Sequence, residues 1–434
     1  MDTQSKPIRN RPDPRGCAVR ALEWVFGKHR PLDQFLEQDQ RFMALPPRDR
    51  ALSRAIIGTS LRRMGQIDAI LDAMLAKPLP KQALSARQIL RAGTAELLFL
   101  RSAPHGVVHS FVQTAVQMRT ARPYKGLINA IFRRILREQK GLLDDTPISQ
   151  NIPNWPGEIW DERYGAGTRE RAAVALMEPP ALDLTVFTDP EHWASALDGV
   201  RLGPQTVRIA AKGRIEDIAG YGEGTWIVQD VSAALPVQLL NPQPDEQIVD
   251  MCAAPGGKTM QLAAAGAVVT AVDQNKQRLR RLSENLSRTK QSAKLVCKDA
   301  AHWQSDQQFD AVLVDAPCSA TGIFRRQPDV LHNRRAADLA VLAEQQLALA
   351  KNAARLLKPG GRMIYCVCSA EPEEGEQVLA ELLADESLTL EPFTEPQAGF
   401  AAGFLTDGMV RIPPGALADQ GGMDAFFIAR LRKH

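Results

Sequence analysis

Three short stretches in the second half of the chain carry residue types that can do chemistry. The first is Asp250-Met251-Cys252-Ala253-Ala254-Pro255-Gly256-Gly257-Lys258-Thr259. Glycine and alanine there let a ligand approach the backbone, and a helix starting at that point would present unbonded N–H groups. The second is Asp315-Ala316-Pro317-Cys318-Ser319-Ala320-Thr321-Gly322, and the third is Tyr365-Cys366-Val367-Cys368-Ser369. An isolated cysteine is most often a small buried hydrophobe. Two of them in adjacent strand-end loops are candidates for more than packing. Cys366 and Cys368 would share one face of a strand with a single residue between them, no His is near in sequence, and no C-x-x-C occurs. A metal site is therefore not expected.

Three kinds of ligand could use the first loop. A phosphate-binding loop needs Gly, four residues, then Gly-Lys-Ser/Thr. Gly257-Lys258-Thr259 fits, but Cys252 holds the first Gly position. The run Ala311-Val312-Leu313-Val314-Asp315 resembles the acidic strand of nucleotide hydrolases, so an NTPase stays a competing reading. A dinucleotide site needs Gly-x-Gly-x-x-Gly, which is absent. The third ligand is S-adenosylmethionine. Asp273, 23 residues after Asp250, ends the next apolar run and can accept from ribose hydroxyls; Asp299 follows a third run and could face an adenine amino group. Any one of these Asp residues alone would ordinarily be a helix cap or a strand-end turn. Three after three successive strands, with a Gly-rich loop after the first, lower that expectation sharply.

The elements that must position these residues follow from periodicity. Strands are expected at 247–251, 268–272, 294–297, 311–315, 362–367 and 425–431, with helical stretches between most of them. That alternation predicts an α/β domain: a mostly parallel, Rossmann-like sheet with helices on both faces and ligands at the strand carboxyl ends. Residues 13–140 read as helix only. Ile89, Leu90, Gly93, Leu97 and Leu100 recur at helical spacing, as do Leu127, Ile128, Ile131 and Ile135. Gly141–Gly157, rich in Asp and Pro, reads as a linker, and short apolar runs at 182–187, 207–210 and 225–228 suggest a small α+β element. The expected domains are 1–142, all helical; 143–237, linker and small α+β subdomain; and 238–434, the Rossmann-like domain.

Charge separates the first of these from the rest. The 434 residues hold 53 Lys and Arg against 50 Asp and Glu, a net +3. Residues 1–150 carry 25 basic and 13 acidic residues, or +12, which leaves −9 for the remainder. Arg119, Arg122, Lys125, Arg133, Arg134, Arg137 and Lys140 fall within 22 residues, with Glu138 as the one acid among them. Such clustering points to a polyanion, since each phosphate contact releases a counterion. Arg325 and Arg326, just past the second stretch, are further candidates for phosphate. No run nears the ~18 apolar residues that span a membrane, and residues 1–16 lack an apolar signal core. Six sparse cysteines suit a reducing compartment, so a cytoplasmic protein is expected; a monomer is expected as well.

Cys252–Thr259, Asp315–Gly322, and Cys368-Ser369 before Pro372-Glu373-Glu374 resemble the motifs of RNA cytosine-5 methyltransferases. Pro104-His105 and Lys125-Gly126-Leu127-Ile128-Asn129-Ala130-Ile131-Phe132-Arg133 resemble the NusB-like RNA-binding domain found on bacterial small-subunit ribosomal RNA members of that family. The resemblance covers nearly the whole chain. It implies S-adenosylmethionine as cofactor and ribosomal RNA as partner. It also implies Cys368 as the nucleophile that adds to C6 of cytosine, Asp315 as the group holding the base edge, and Cys318 as the residue that helps break the adduct. Cys252, Ala253, Ala254, Pro255, Gly256, Gly257, Lys258, Asp273, Asp299 and Asp315 would then line the cofactor and base site. Judged without the resemblance, Cys318 would be the first choice of nucleophile, because a Pro-Cys pair after this strand serves that role in DNA cytosine-5 methyltransferases. The sequence departs from the family pattern at Gln327, Cys366 and Gly375, and no Arg-x-Asn is evident near Asp183-Leu184-Thr185. A non-catalytic RNA-binding protein would leave both thiols and the three Asp residues without a task.

Overall fold

A computed structural model describes residues 13–434 except Lys140, Glu178, Ala211, Lys212 and Asp385. The chain divides into two compact units. One holds the described residues up to Asn154 together with Gln327–Asn333, and the other holds Trp155–Arg326 with Arg334–His434.

The first unit is helical: α1 (Pro14–Lys28), α2 (Leu32–Gln38), α3 (Gln40–Met43), α4 (Pro47–Arg62), α5 (Met64–Met74), α6 (Leu84–Phe99), α7 (Pro104–Gln117) and α8 (Lys125–Glu138). Asp13 caps α1 by accepting from the N–H groups of Arg15 and Gly16, and Pro14 follows at the position where its missing N–H costs nothing. Nearly every side chain of α6 from Ser85 to Leu97 is buried, so it is the central helix around which α1, α4, α7 and α8 bury their apolar stripes. On α8, Ile128, Ile131, Phe132 and Ile135 face this core and the basic residues face away, as the spacing predicts.

The linker expected from residue 143 is structured up to Asn154. A 3₁₀ turn at Ile148–Asn151 packs on α5, where Asn151 exchanges hydrogen bonds with Gln66 and the Gln66 amide donates to the Thr146 carbonyl. Gly65 is required for this: a Cβ there would lie 1.8 Å from the Gln150 carbonyl oxygen. Proline and aspartate marked an irregular backbone but could not show that it is buried. The segment Gln327–Asn333 also belongs here. Asp329 accepts from the Leu32 N–H at 2.9 Å, Asn333 donates to the Arg30 carbonyl at 3.2 Å, and the His332 ring lies 3.1 Å from the Leu61 carbonyl.

The second unit contains two sheets. The smaller has strands β1 (Leu182–Val186), β2 (Val200–Leu202), β3 (Thr206–Ile209) and β4 (Trp226–Val228), antiparallel, in the order β2-β3-β1-β4. In it Asp183 is buried in a two-pronged pair with Arg208 and also accepts from the Val231 N–H, so its position serves the subdomain's own framework. The larger has β5 (Gln247–Met251), β6 (Val268–Val272), β7 (Lys294–Val296), β8 (Phe309–Asp315), β9 (Leu357–Val367), β10 (Leu388–Leu390), β11 (Leu405–Thr406), β12 (Met409–Ile412) and β13 (Phe426–Lys433). Its order is β11-β12-β13-β9-β8-β5-β6-β7, with β10 beside β13. Strands β5 to β9 pair in parallel, and β13 joins β9 antiparallel.

Strand alternation divides the core between the two faces. Val249, Met251, Val312, Val314, Tyr365 and Val367 pack against the helices Ala337–Leu356 and Glu376–Leu383. Ile248, Leu313, Ile364 and Cys366 pack against Val231–Leu240 and Gly257–Ala264. Short strands such as β2, β10 and β11, of two or three residues, carry too little pattern to be found by periodicity.

Candidate active site

Strand order reverses at β5, which has β6 on one side and β8 on the other. Parallel sheets bind ligands beyond the strand carboxyl ends at such a point. The loop after β5 is held in a cradle shape by left-handed residues at Cys252 (φ 61°) and Gly256 (φ 107°) before the helix Gly257–Ala264 begins. Together with β4, Gln229, Asp230 and Arg326, it lines a cavity of about 440 Å³ whose wall also includes Asp250, Lys258 and Asp315.

Asp250 is fully buried. One carboxylate oxygen accepts from the Thr259 hydroxyl at 2.6 Å and the other, Oδ1, has no partner. Burial pushes its carboxyl up to about 7, the Thr259 bond opposes this, and the Asp315 charge adds to it. Burial also pushes the Cys252 thiol up to about 12, with Asp315 and Asp273 contributing, so Cys252 is a neutral wall of the loop. Asp273 turns inward. Its carboxylate accepts from the N–H groups of Ala254 (3.2 Å) and Asn275 (2.8 Å) and pairs with Arg278 at 3.5 Å. In this arrangement it fixes the loop that follows β5. Asp299 is exposed, bonded to the His302 ring at 2.7 Å and to the Ala301 N–H. It has the geometry of a strand-end turn.

Lys258 and Asp315 form the charged centre, Nζ to Oδ2 2.8 Å. Burial acts to lower the Lys258 ammonium, and the Asp315 carboxylate more than offsets it, so the amine stays protonated. The Cys366 thiol lies 3.7 Å from the other Asp315 oxygen; burial and the Asp315 charge hold it well above the usual thiol range. Cys366 is thus a packing residue of the sheet face.

Beyond Asp315 the β8–β9 ladder ends with the Ala316 N–H donating to the Cys366 carbonyl at 3.0 Å. Cys318 and Cys368 follow, both half-buried, with their sulfurs 3.4 Å apart. The Cys368 carbonyl accepts from the Gly322 N–H at 3.1 Å. Only glycine permits that approach, since a Cβ on residue 322 would lie 2.1 Å from the Ala425 carbonyl oxygen. The Cys318 thiol is held well above its ordinary value, first by facing the Cys368 sulfur and then by burial. No group of three or more His, Cys, Asp or Glu residues placed to hold a metal occurs among the described residues.

The expected phosphate contact at Arg325 is corrected. Its side chain is 1% exposed and pairs with Asp230 at 2.8 Å and Asp424 at 3.2 Å, while donating to the Gly421 carbonyl. A guanidinium so enclosed cannot reach a phosphate. Arg326 lies at the cavity and pairs two-pronged with Asp424. Asp230 and Asp424 carried no sequence signal, because their partner Arg325 lies 95 and 99 positions away in the chain. On the helical unit, Arg119, Arg122, Lys125, Arg133 and Arg137 are exposed, whereas Arg134 is half-buried and paired with Glu138. Lys140 lies outside the described residues.

A parallel sheet extended by an antiparallel strand, with a Gly-rich loop and an acid at its switch point, is the framework of a Rossmann-type methyltransferase. Residues 237–432 match the family described as 16S rRNA methyltransferase RsmB/F, and residues 12–137 match the NusB family. The chain is 33% identical to the ribosomal RNA small subunit methyltransferase B of Cronobacter sakazakii, over 96% of this chain and 98% of that protein. Against the enzyme of the same name from Klebsiella pneumoniae it is 33% identical over 85% and 89%. The crystal structure of PH0851 shares the fold, with a TM-score of 0.77, 22% identity and full coverage of both chains. The chain belongs to the RsmB/F family of 16S rRNA methyltransferases and carries a NusB domain. Its cofactor is accordingly S-adenosylmethionine, and the competing NTPase reading falls. The residues fit that cofactor: Asp250 keeps an unpartnered buried oxygen at the cavity wall, and the Ala253–Gly257 backbone leaves room beside it.

Proposed function

We propose that this protein methylates C5 of a cytosine in small-subunit ribosomal RNA through a covalent adduct with Cys368. The observation that carries the reading is the pair of sulfurs 3.4 Å apart at the ends of adjacent parallel strands, two to three residues beyond the Lys258–Asp315 pair on β8 and its neighbour Cys366 on β9. C5 of cytosine is a weak nucleophile. Addition of the Cys368 thiolate to C6 turns C5 into the carbon of an enamine. When bound, S-adenosylmethionine supplies an electrophilic methyl group for that carbon. Asp315, held by Lys258, would accept from the base edge and stabilise the charge that grows there as sulfur adds.

Release requires the C5 proton to leave while the C6–S bond breaks and its electron pair returns to sulfur. Cys318 is the nearest candidate to take that proton. The Cys368 sulfur opposite and burial both hold the Cys318 thiol up. Once Cys368 is a neutral thioether, no charge on its sulfur opposes ionisation of Cys318. The target base must leave its stack, which single-stranded RNA loops permit at low cost. The exposed basic face of α8 supports a role in holding the surrounding RNA.

The test is methyl transfer to unmodified small-subunit RNA, with bisulfite sequencing of ribosomal RNA from cells with and without the protein. A single cytosine that becomes convertible in its absence supports the reading. An unchanged conversion pattern overturns it.

A further inference from the structure

Both serines that follow the two cysteines reach the same carboxylate. Glu374 is fully buried, and its Oε1 accepts from the Ser319 N–H at 2.7 Å and from the Gln346 amide at 2.9 Å. Its Oε2 accepts from the Ser319 hydroxyl and the Ser369 hydroxyl, each at 2.5 Å. Ser319 and Ser369 are themselves buried, with their hydroxyls 3.2 Å apart. The Tyr365 hydroxyl donates to the Glu374 carbonyl at 2.6 Å, which ties the carboxylate's own backbone to β9.

The location matters because the sheet no longer acts there. The last ladder bond between the two strands is at Ala316 and Cys366. Cys318 and Cys368 each lie two residues past it, where one backbone bond, from the Gly322 N–H to the Cys368 carbonyl, still ties the two loops and side chains must do the rest. Arg334 steadies the Cys318–Ser319 turn from outside through the Ser319 carbonyl. One buried carboxylate accepting four hydrogen bonds is a rigid crosspiece, since each lost bond would leave a buried donor unsatisfied.

We propose that Glu374 is a positioning residue for the reaction: by bridging Ser319 and Ser369 it sets the separation of the Cys318 and Cys368 sulfurs. This rests on the reading that those two thiols form and resolve the adduct. Glu374 makes no hydrogen bond to either thiol and does not line the cavity; its contacts reach the thiol loops through the serines, while its charge also acts to hold the Cys318 thiol up. A misplacement of 1 Å at a reacting group can cost about 100-fold in rate, so loss of the crosspiece should impair the step that needs both sulfurs at once.

Two measurements test it. The first does not depend on the chemistry of methylation. The full-length protein is treated with a diazene oxidant, which takes two protons and two electrons from the thiols as the S–S bond forms and becomes the hydrazine. Peptide mapping then follows Cys318–Cys368 disulfide formation. Glu374→Ala should form that disulfide several-fold more slowly than wild type, and Glu374→Gln, which can still bridge the two hydroxyls, should be restored towards the wild-type rate. Equal or faster oxidation of the Ala variant overturns the proposal. The second is turnover on unmodified RNA with the denaturing-gel adduct assay. Glu374→Ala should accumulate covalent protein–RNA adduct at unchanged cofactor affinity, and the Gln variant should clear it. Loss of turnover in both variants alike, with no adduct, assigns Glu374 a purely structural part and overturns the proposal. If Glu374→Ala does not fold, the Ser319→Ala/Ser369→Ala double variant takes its place with the same expected outcomes. Cys318→Ala and Cys368→Ala run alongside; if neither alters the adduct, the covalent reading itself fails while the oxidation result still judges the crosspiece.

Discussion

The sulfurs of Cys318 and Cys368 lie 3.4 Å apart although 50 residues separate them in the chain. The parallel pairing of β8 with β9 brings their loops to the same end of the sheet. Removing each thiol should therefore stop the reaction at a different point. Cys368→Ala is expected to abolish methyl transfer and adduct formation while cofactor binding, followed by calorimetry, is retained. Cys318→Ala is expected to trap the adduct as a shifted band on a denaturing gel. The opposite pattern would exchange the two roles.

Lys258 neutralises Asp315 inside the cavity. Lys258→Met leaves that carboxylate without its partner. Turnover should fall by about 10²-fold, comparable to losing one electrostatic contact at a reacting centre. Steady-state kinetics at saturating cofactor measure it, and a rate within a few-fold of wild type would remove the pair from the mechanism.

The basic residues split into two groups with opposite signatures. Arg325→Ala uncovers two buried carboxylates, Asp230 and Asp424, and is expected to cost about 3–5 kcal/mol of stability, read by denaturant melts, with the salt slope of RNA binding unchanged. Arg133→Ala and Arg137→Ala lie on the exposed face of α8 and should each lower that slope by about one, with little loss of stability. A change of slope in Arg325→Ala, with its stability intact, would reverse the assignment.

Glu371 shapes the pH dependence of stability. Burial raises its carboxyl from 4.5 to about 7, against the opposing bond from the Trp160 indole. Between those values the unfolded chain has released a proton that the folded chain keeps. The group's contribution is fully present below the lower value and is lost as pH rises towards about 7. Glu371→Gln keeps an acceptor for Trp160 and cannot ionise. Its melting temperature relative to wild type should rise between about pH 5 and about pH 8. A difference that does not vary with pH would show that Glu371 does not titrate in this window.

The sheet was legible because its central parallel strands are largely buried and read as short, mostly apolar runs. Val268–Val272 and Gln247–Met251 have the expected bounds. The loop residues of the site could be named from their spacing after those strands. Their partners could not be. Asp273 carries the residue type of a ribose acceptor, and the spacing did not show that its oxygens also accept from the N–H groups of Ala254 and Asn275. Arg325 and Arg326 are adjacent and chemically alike, but one is enclosed and the other lies at the cavity. Only the distant Asp230 and Asp424 decide which.

The helical unit is assembled from two pieces of sequence, the second being the seven residues Gln327–Asn333 immediately after Arg326. Val330 and Leu331 are buried there, and the half-buried His332 ring lies tilted against Phe26 with centroids 5.2 Å apart. No single cut in the gene separates the two units. A fragment beginning at Trp155 would inherit an apolar peg whose socket had been left behind, and a fragment ending at Asn154 would keep the socket empty. The helical unit and the methyltransferase unit thus travel as one block: an exchange of either alone would have to rejoin the chain at both ends of that insertion.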